Sequence, residues 1–395
     1  MNKLTVRDVD VEGKRVLLRV DFNVPVDEAT GEITDDSRIR AALPTLGYLI
    51  ERNARVVLAT HLGRPRGKVD DRFRLAGVGE RLSRILSRPV AVTADCVGPE
   101  VEKAVAALAG GGVLLLENLR FHAAEERNTP GFAHALSRLA DVFVNDAFGT
   151  SHRSHASIVG VAGYLPAVAG FLLEKELTNL GDILESPAHP FAALLGGAKV
   201  SDKVGMLGNI MGKVDHLLIG GGVAATFLKA GGGKVGKSLV ETNRLQTARH
   251  LMALAERQEV DLALPVDVVV VTEIEPEAAT HTVAVSDIGA RYRIVDIGPE
   301  TVASFTGKLG ECRTVFWNGP MGICEMPRFA TGTRAMAEVL AESRAATILG
   351  GGSTAEAVAH FGLTERMTFV STGGGASLAF LGGETLPGVE ALLDR

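Results

Sequence analysis

The sequence predicts an α/β protein of two domains, each a parallel sheet wrapped by helices in three layers. Three observations lead to this. Short β-branched runs alternate with Ala- and Leu-rich helical stretches from end to end. The runs are continuously apolar rather than alternating, which suits strands buried on both faces. A break between residues 164 and 190 then divides the chain, with one amphipathic stretch at 171–184 followed by Pro187 and Pro190.

The strand-like runs of the first half are 15–22, 55–60, 113–118 and 142–146. Those of the second half are 191–195, 216–219, 267–271, 292–296, 314–317, 346–349 and 368–371. Helical spacing fills the intervals between them. The domain boundary is placed at the 171–184 helix, giving residues 1–170 and 171–385. No repeat of solenoid period occurs, although both halves share the βα alternation.

Composition narrows the function. The chain has 395 residues, 46% of them hydrophobic, enough for two or three cores at roughly 150 residues per domain. A formal net charge of −6 argues against a nucleic-acid or membrane-surface partner, which would need a basic excess. Cys96, Cys312 and Cys324 form no CxxC pair and no zinc-ligand spacing, as fits a reducing cytosol. Residues 1–10 carry Lys3, Arg7 and Asp8 and have no apolar core, so they do not read as a signal peptide. No apolar stretch is long enough to span a bilayer. The expectation is a soluble cytoplasmic protein.

Function is read from the residues just past each strand, because ligands of open α/β sheets bind beyond the carboxyl ends of the strands. In the first half those ends carry Asp21 and Asn23, then His61 and Arg64, then Arg120, then His152, Arg153 and His155. Arg38 lies in a polar turn after the first strand. A net-acidic chain thus concentrates cations where a small multivalent anion would bind. Any one of these arginines alone would be ordinary surface charge.

The second half carries glycines at the same places: Gly196-Gly197-Ala198-Lys199, Gly220-Gly221-Gly222, Gly319-Pro320-Met321-Gly322, Gly350-Gly351-Gly352 and Ser371-Thr372-Gly373-Gly374-Gly375. Glycine lets backbone N–H groups approach a phosphate, and a helix N-terminus next to it adds a favourable dipole. Lys199 and Lys203, four apart on what reads as a helix start, would share one face and neutralise phosphate oxygens. One half is suited to an anionic substrate and the other to a nucleotide, which points to transfer across a cleft.

Two motifs mislead. Residues 231–238 match GxxxxGK[ST] by letter, but they come after a helical stretch rather than a buried strand, so a Walker A site is not expected. Gly350, Gly352 and Ala355 match a dinucleotide fingerprint and keep a dehydrogenase as an alternative, yet no acidic residue closes the next strand to hold a ribose. The His152-x-x-His155 pair lacks an obvious third metal ligand. No covalent nucleophile stands out.

With these residues assembled, the chain resembles the phosphoglycerate kinase family. The resemblance rests on residues 19–25 (RVDFNVP), 61–65 (HLGRP), 116–121 (LENLRF), 145–150 (NDAFGT) with His152-Arg153, 196–203 (GGAKVSDK), 317–322 (WNGPMG) and 371–377 (STGGGAS). They occur in the family's order and span nearly the whole chain. The resemblance implies two Rossmann-like domains joined by a hinge helix around a central cleft, with residues 386–395 packing back on the first. It implies that Asp21, Asn23, Arg38, His61, Leu62, Gly63, Arg64, Arg120 and Arg153 hold 3-phosphoglycerate or 1,3-bisphosphoglycerate. Gly197, Ala198, Lys199, Lys203, Gly222, Asn318, Pro320, Glu325, Gly351, Gly352, Ser353 and Thr354 would hold ATP or ADP, with Glu325 on the ribose. Arg38 and Lys199 would be catalytic, Mg²⁺ would arrive with the nucleotide, and the protein would be a monomer. One departure matters: where the family usually has an Asp that helps hold Mg²⁺, this chain has Ser353, a weaker ligand for a hard cation. The metal ligands are therefore left unassigned. Ala379, where the family often has Glu, has no functional account.

Overall fold

The structure is a computed structural model that describes residues 2–27 and 30–395. Two units divide the chain. One runs to Thr178 and takes back Thr385–Arg395, and the other is Asn179–Glu384.

The first unit is built on β1 (Arg15–Arg19), β2 (Arg55–Ala59), β3 (Ala91–Val92), β4 (Val113–Leu115), β5 (Val142–Asn145) and β6 (Ala167–Ala169). They form one sheet in the order β3-β4-β2-β1-β5-β6, parallel at every pairing. Central strands such as β5 are buried at every position, which is why their sequences are unbroken apolar runs. The helix Leu43–Glu51 starts with Pro44 in its first turn and buries Thr45, Leu46 and Leu49. Leu46 and Leu49 join Val16, Leu18, Val56 and Leu58 in the core, where each full burial of a large aliphatic side chain contributes about 1.5–3 kcal/mol.

The chain end closes this unit. Leu4 N donates to Leu393 O, Leu393 N donates to Ala167 O, and Lys3 Nζ lies 2.8 Å from an Asp394 carboxylate oxygen. Asn145 Nδ2 reaches across to Gly388 O at 3.0 Å.

The second unit contains β7 (Phe191–Leu195), β8 (His216–Ile219), β9 (Asp261–Ala263), β10 (Asp267–Val271), β11 (His281–Ala284), β12 (Arg293–Ile297), β13 (Thr314–Asn318), β14 (Ala346–Gly350) and β15 (Phe369–Val370). Six of them form a parallel sheet in the order β15-β14-β13-β7-β8-β9. Trp317 is fully buried at its centre and donates its indole N–H to Gly319 O at 2.8 Å. The remaining three form a separate antiparallel sheet, β11-β10-β12. This corrects the assignment of runs 267–271 and 292–296 to the parallel sheet. Both runs are apolar because Val268, Val270 and Ile288 build a small core of their own, with Ile294 packed against it, and apolarity alone does not reveal strand direction.

The helix Phe171–Glu185 begins over a buried acid. Asp146 Oδ1 accepts the N–H groups of Leu172 and Leu173 at 2.8 and 3.2 Å, and Thr45 Oγ1 accepts that of Phe171. Burial raises the Asp146 carboxyl from 3.8 to about 6, and its Oδ2 has no hydrogen-bond partner among the described residues. Between about pH 4 and 6 the folded form binds the carboxyl proton more tightly than the unfolded chain, so stability falls as pH rises through that interval. The expected contribution is about 3 kcal/mol, measured as a denaturation midpoint across pH. Asp146→Asn should flatten the slope, and an unchanged slope would rule out this assignment.

Candidate active site

In the first unit the polar residues converge at the carboxyl ends of β1, β2, β4 and β5. Arg38 lies on the short helix Ser37–Ala41, not in the polar turn expected from sequence, and its Nη1 meets Asp21 Oδ2 at 2.6 Å. Asp21 Oδ1 lies 3.7 Å from His61 Nδ1. Asn23 Oδ1 accepts Gly63 N at 2.8 Å, and Arg120 Nη1 donates to Gly63 O at 2.8 Å, so the 61–64 loop is held from both sides. Asn118 completes its support by bonding Leu62 N and O. Arg64 is exposed and stands outside this hydrogen-bonded set.

The electrostatics are lopsided. His61 is held well below its usual range, first by burial and then by Arg19, Arg120, Arg153 and Arg38. Arg120 falls to about 10 through burial and then repulsion from Arg153 and Arg19. His155 falls to about 4, again by burial and then by Arg120, Arg19 and Arg153. The Nε groups of Arg120 and Arg153 are buried with no hydrogen-bond acceptor among the described residues, the nearest charge to Arg120 Nε being Glu126 Oε1 at 3.6 Å. Buried guanidinium N–H groups without acceptors are costly unless an anion arrives. The pocket is preorganised for one.

Two contributors carried no sequence signal. Arg19 is 1% exposed, its Nε donates to Ser157 Oγ at 2.9 Å, and Nη2 lies 3.3 Å from His61 Nδ1. Ser157 Oγ in turn donates to Glu125 Oε1 at 2.6 Å, and Ser157 N to Oε2 at 2.9 Å. Neither role is visible in the sequence: Arg19 only opens the 19–25 motif, and Glu125 lies beside Glu126 and Arg127.

In the second unit the glycine-rich loops interlock beyond β7, β8, β13 and β14. Gly196 N donates to Asn318 O, Gly197 N to Pro320 O, and Gly319 N to Thr354 Oγ1 at 2.7 Å. Gly319 has φ +93°, and a Cβ there would collide with the Gly196 carbonyl. Only glycine permits that approach. Asn318 Nδ2 donates to Gly350 O at 2.9 Å, tying β13 to the turn at Gly351. The helices Gly221–Ala230 and Gly352–His360 both open at these loops, with Gly222 beside Ala198. Their N-termini supply positive potential, although Gly221 N and Val223 N of the first already donate to Met321 O and Gly197 O.

The two lysines differ from expectation. The helix begins at Val204, so Lys199 and Lys203 lie in the preceding turn and share no helical face. Glu241 secures this turn by accepting the N–H groups of Val200 and Ser201 and the Ser201 hydroxyl. Lys199 is exposed, whereas Lys203 is 6% exposed with its Nζ beside Gly197. Burial lowers the Lys203 pKa, opposed by Asp202 and Glu241. Glu325 and Ser353 line one groove of about 380 Å³ with Glu356, Arg334 and Phe361. Residues 231–238 leave the helix Gly221–Ala230 rather than a strand, which removes the structural context of a P-loop.

An arginine-lined anion pocket in one unit and a glycine-lined cradle at strand–helix junctions in the other define a phosphotransferase of the α/β class. Residues 6–384 match the family described as phosphoglycerate kinase. The chain is 56% identical over 395 residues to the phosphoglycerate kinase of Pelotomaculum thermopropionicum and 53% identical to that of Moorella thermoacetica, each match covering both proteins fully. Phosphoglycerate kinase structures from Coxiella burnetii (TM-score 0.86, 41% identity) and Pyrococcus horikoshii OT3 (0.87, 34%) each match over 98% of both chains. The chain belongs to the phosphoglycerate kinase family and is a kinase.

Proposed function

We propose that this kinase reversibly transfers a phosphoryl group between 1,3-bisphosphoglycerate plus ADP and 3-phosphoglycerate plus ATP, the glycolytic reaction. The observation that carries this reading is the pair of buried guanidinium Nε atoms of Arg120 and Arg153 that lack a hydrogen-bond acceptor among the described residues, beside Arg38 and His61. They match a small phosphorylated carboxylate in charge and in hydrogen-bonding capacity.

In this reading Arg38, Arg120, Arg153, Asn23 and the 61–64 loop hold the phosphoglycerate. Lys203 and the Gly351–Thr354 turn hold the nucleotide phosphates, while Glu325 takes the ribose. No protein nucleophile takes part. The acceptor carboxylate attacks in line, and Arg38 and Lys199 neutralise the equatorial oxygens of the moving group. Closure of the domains about the helix Phe171–Glu185 would bring the two ligands together and exclude water, limiting hydrolysis of the acyl phosphate. We further propose that the protein works as a cytoplasmic monomer. Among the described residues no helix is long and apolar enough to cross a membrane.

A coupled assay of ATP-dependent phosphorylation of 3-phosphoglycerate tests the reading. Turnover in the parent and its loss in Lys199→Ala are expected. Nucleotide binding without turnover would instead favour a family member that has lost activity.

Mg²⁺ enters as part of the nucleotide substrate, held by its phosphates and water. Ser353, exposed at the start of the helix Gly352–His360, offers that ion a neutral hydroxyl. Ser353→Asp is expected to lower the Mg²⁺ concentration for half-maximal activity by roughly 10-fold. An unchanged Mg²⁺ titration would exclude a role for this position in holding the ion.

A further inference from the structure

A second constellation of ligating side chains lies at the edge of the first sheet. Beyond β3, Asp95 and Cys96 occupy a loop anchored to the neighbouring strand by Thr93 N donating to Leu115 O. Beyond β4, His122 comes directly after the 3-10 turn Leu119–Phe121. Because β3 and β4 are adjacent and parallel, their carboxyl ends bring the three residues together. One ligand atom from each, an Asp95 oxygen, Cys96 Sγ and a His122 ring nitrogen, lies within 4.8 Å of the other two.

We propose that Asp95, Cys96 and His122 form a site for one divalent cation of the zinc class, with a fourth position open to water.

Donor chemistry and geometry support this. Thiolate, imidazole and carboxylate are the ligand types zinc takes, and tetrahedral coordination separates such atoms by roughly 3.3–3.6 Å. His122 Nε2 and Asp95 Oδ1 already lie 2.6 Å apart. An ion replacing the shared proton would open that contact by about 0.7 Å. The side chains can allow this, because Asp95 is half-exposed and His122 one-third exposed, leaving a route in from solvent. Phe132, with its ring centre 5.1 Å from that of His122, holds the imidazole plane. Cys96 forms the buried floor.

The local charge also favours a cation. The Asp95 carboxylate is itself one of the three ligand groups clustered with the Cys96 thiol. A divalent cation takes cysteine as the thiolate, so binding releases the thiol proton to solvent, and the cation balances the thiolate and Asp95. Mg²⁺ prefers an octahedral oxygen shell and would not compete here. An ion at this site would tie the 93–96 loop to the turn that carries Arg120.

Co²⁺, a visible substitute for Zn²⁺, provides the test. Tag-free protein in excess Mg²⁺ is titrated with Co²⁺ and followed by thiolate-to-cobalt charge-transfer absorption and by proton release. A single saturable equivalent, displaced by Zn²⁺, is expected. Cys96→Ser should abolish the charge-transfer band, and His122→Ala and Asp95→Asn should each weaken binding by at least about 100-fold. A Cys312→Ser/Cys324→Ser double variant should bind like the parent. Far-ultraviolet circular dichroism checks folding, and if Cys96→Ser fails to fold, the partly exposed Asp95→Asn and the double variant decide. The proposal is overturned by a band that survives Cys96→Ser, by its loss in the double variant, by full affinity in Asp95→Asn, or by the absence of saturable binding.

Discussion

Arg38→Ala should reduce kcat by roughly 10³- to 10⁵-fold, the range associated with an arginine that stabilises a transferring phosphoryl group. Stability should change little. Arg38 is 31% exposed, so solvent screens its ion pair with the more buried Asp21 and the pair is worth about 1 kcal/mol or less to the fold. Arg38→Lys should recover only part of the loss, since an ammonium keeps the charge but not the planar fork. Steady-state kinetics with melting curves would separate the effects. A kcat within tenfold of the parent would remove Arg38 from the transfer step and leave it a binding role.

The second large effect is on folding. Glu125→Ala should destabilise the first unit by about 3–5 kcal/mol, because it leaves the buried Arg19 without its principal counter-charge. Burial lowers the Arg19 pKa, and Glu125 and then Asp21 oppose it. Burial raises that of Glu125, and Arg19 and Ser157 oppose it. The link between them is Ser157, whose hydroxyl accepts from one and donates to the other. Ser157→Ala should cost less, about 1–3 kcal/mol, because it removes the relay but neither charge. Chemical denaturation would rank the variants. A Glu125→Ala protein within about 1 kcal/mol of the parent would show that Asp21 alone suffices for Arg19.

The parallel sheets are legible in the sequence because their central strands are buried on both faces and appear as uninterrupted apolar runs. Three of the four edge strands are not: β3 has only Ala91 and Val92, partly exposed or exposed, and β6 and β9 have three residues each, whereas the edge strand β15 falls within the run at 368–371. The antiparallel β10–β12 sheet reads as more of the same because direction depends on partners, not on composition. Site residues at strand ends are visible because glycine and arginine are unusual there. The roles of Arg19, Glu125, Ser157 and Glu241 are invisible because each depends on a contact 32 or more residues away in the chain. The lysines at 199 and 203 show the opposite failure. Their spacing suggests a helical face, but the backbone there is a turn pinned by Glu241.

The return of Thr385–Arg395 to the first unit has a consequence for how the molecule is made. Its second unit is, topologically, an insertion between β6 and the segment that bonds β6 through Leu393. During synthesis the first unit leaves the ribosome early but lacks its closing segment until roughly 200 further residues have been added, a delay of roughly 10–40 s at 5–20 residues per second. The nascent first unit must therefore wait, nearly complete, with Ala167 and Asn145 unpaired toward a partner not yet translated, while the second unit folds in the interval.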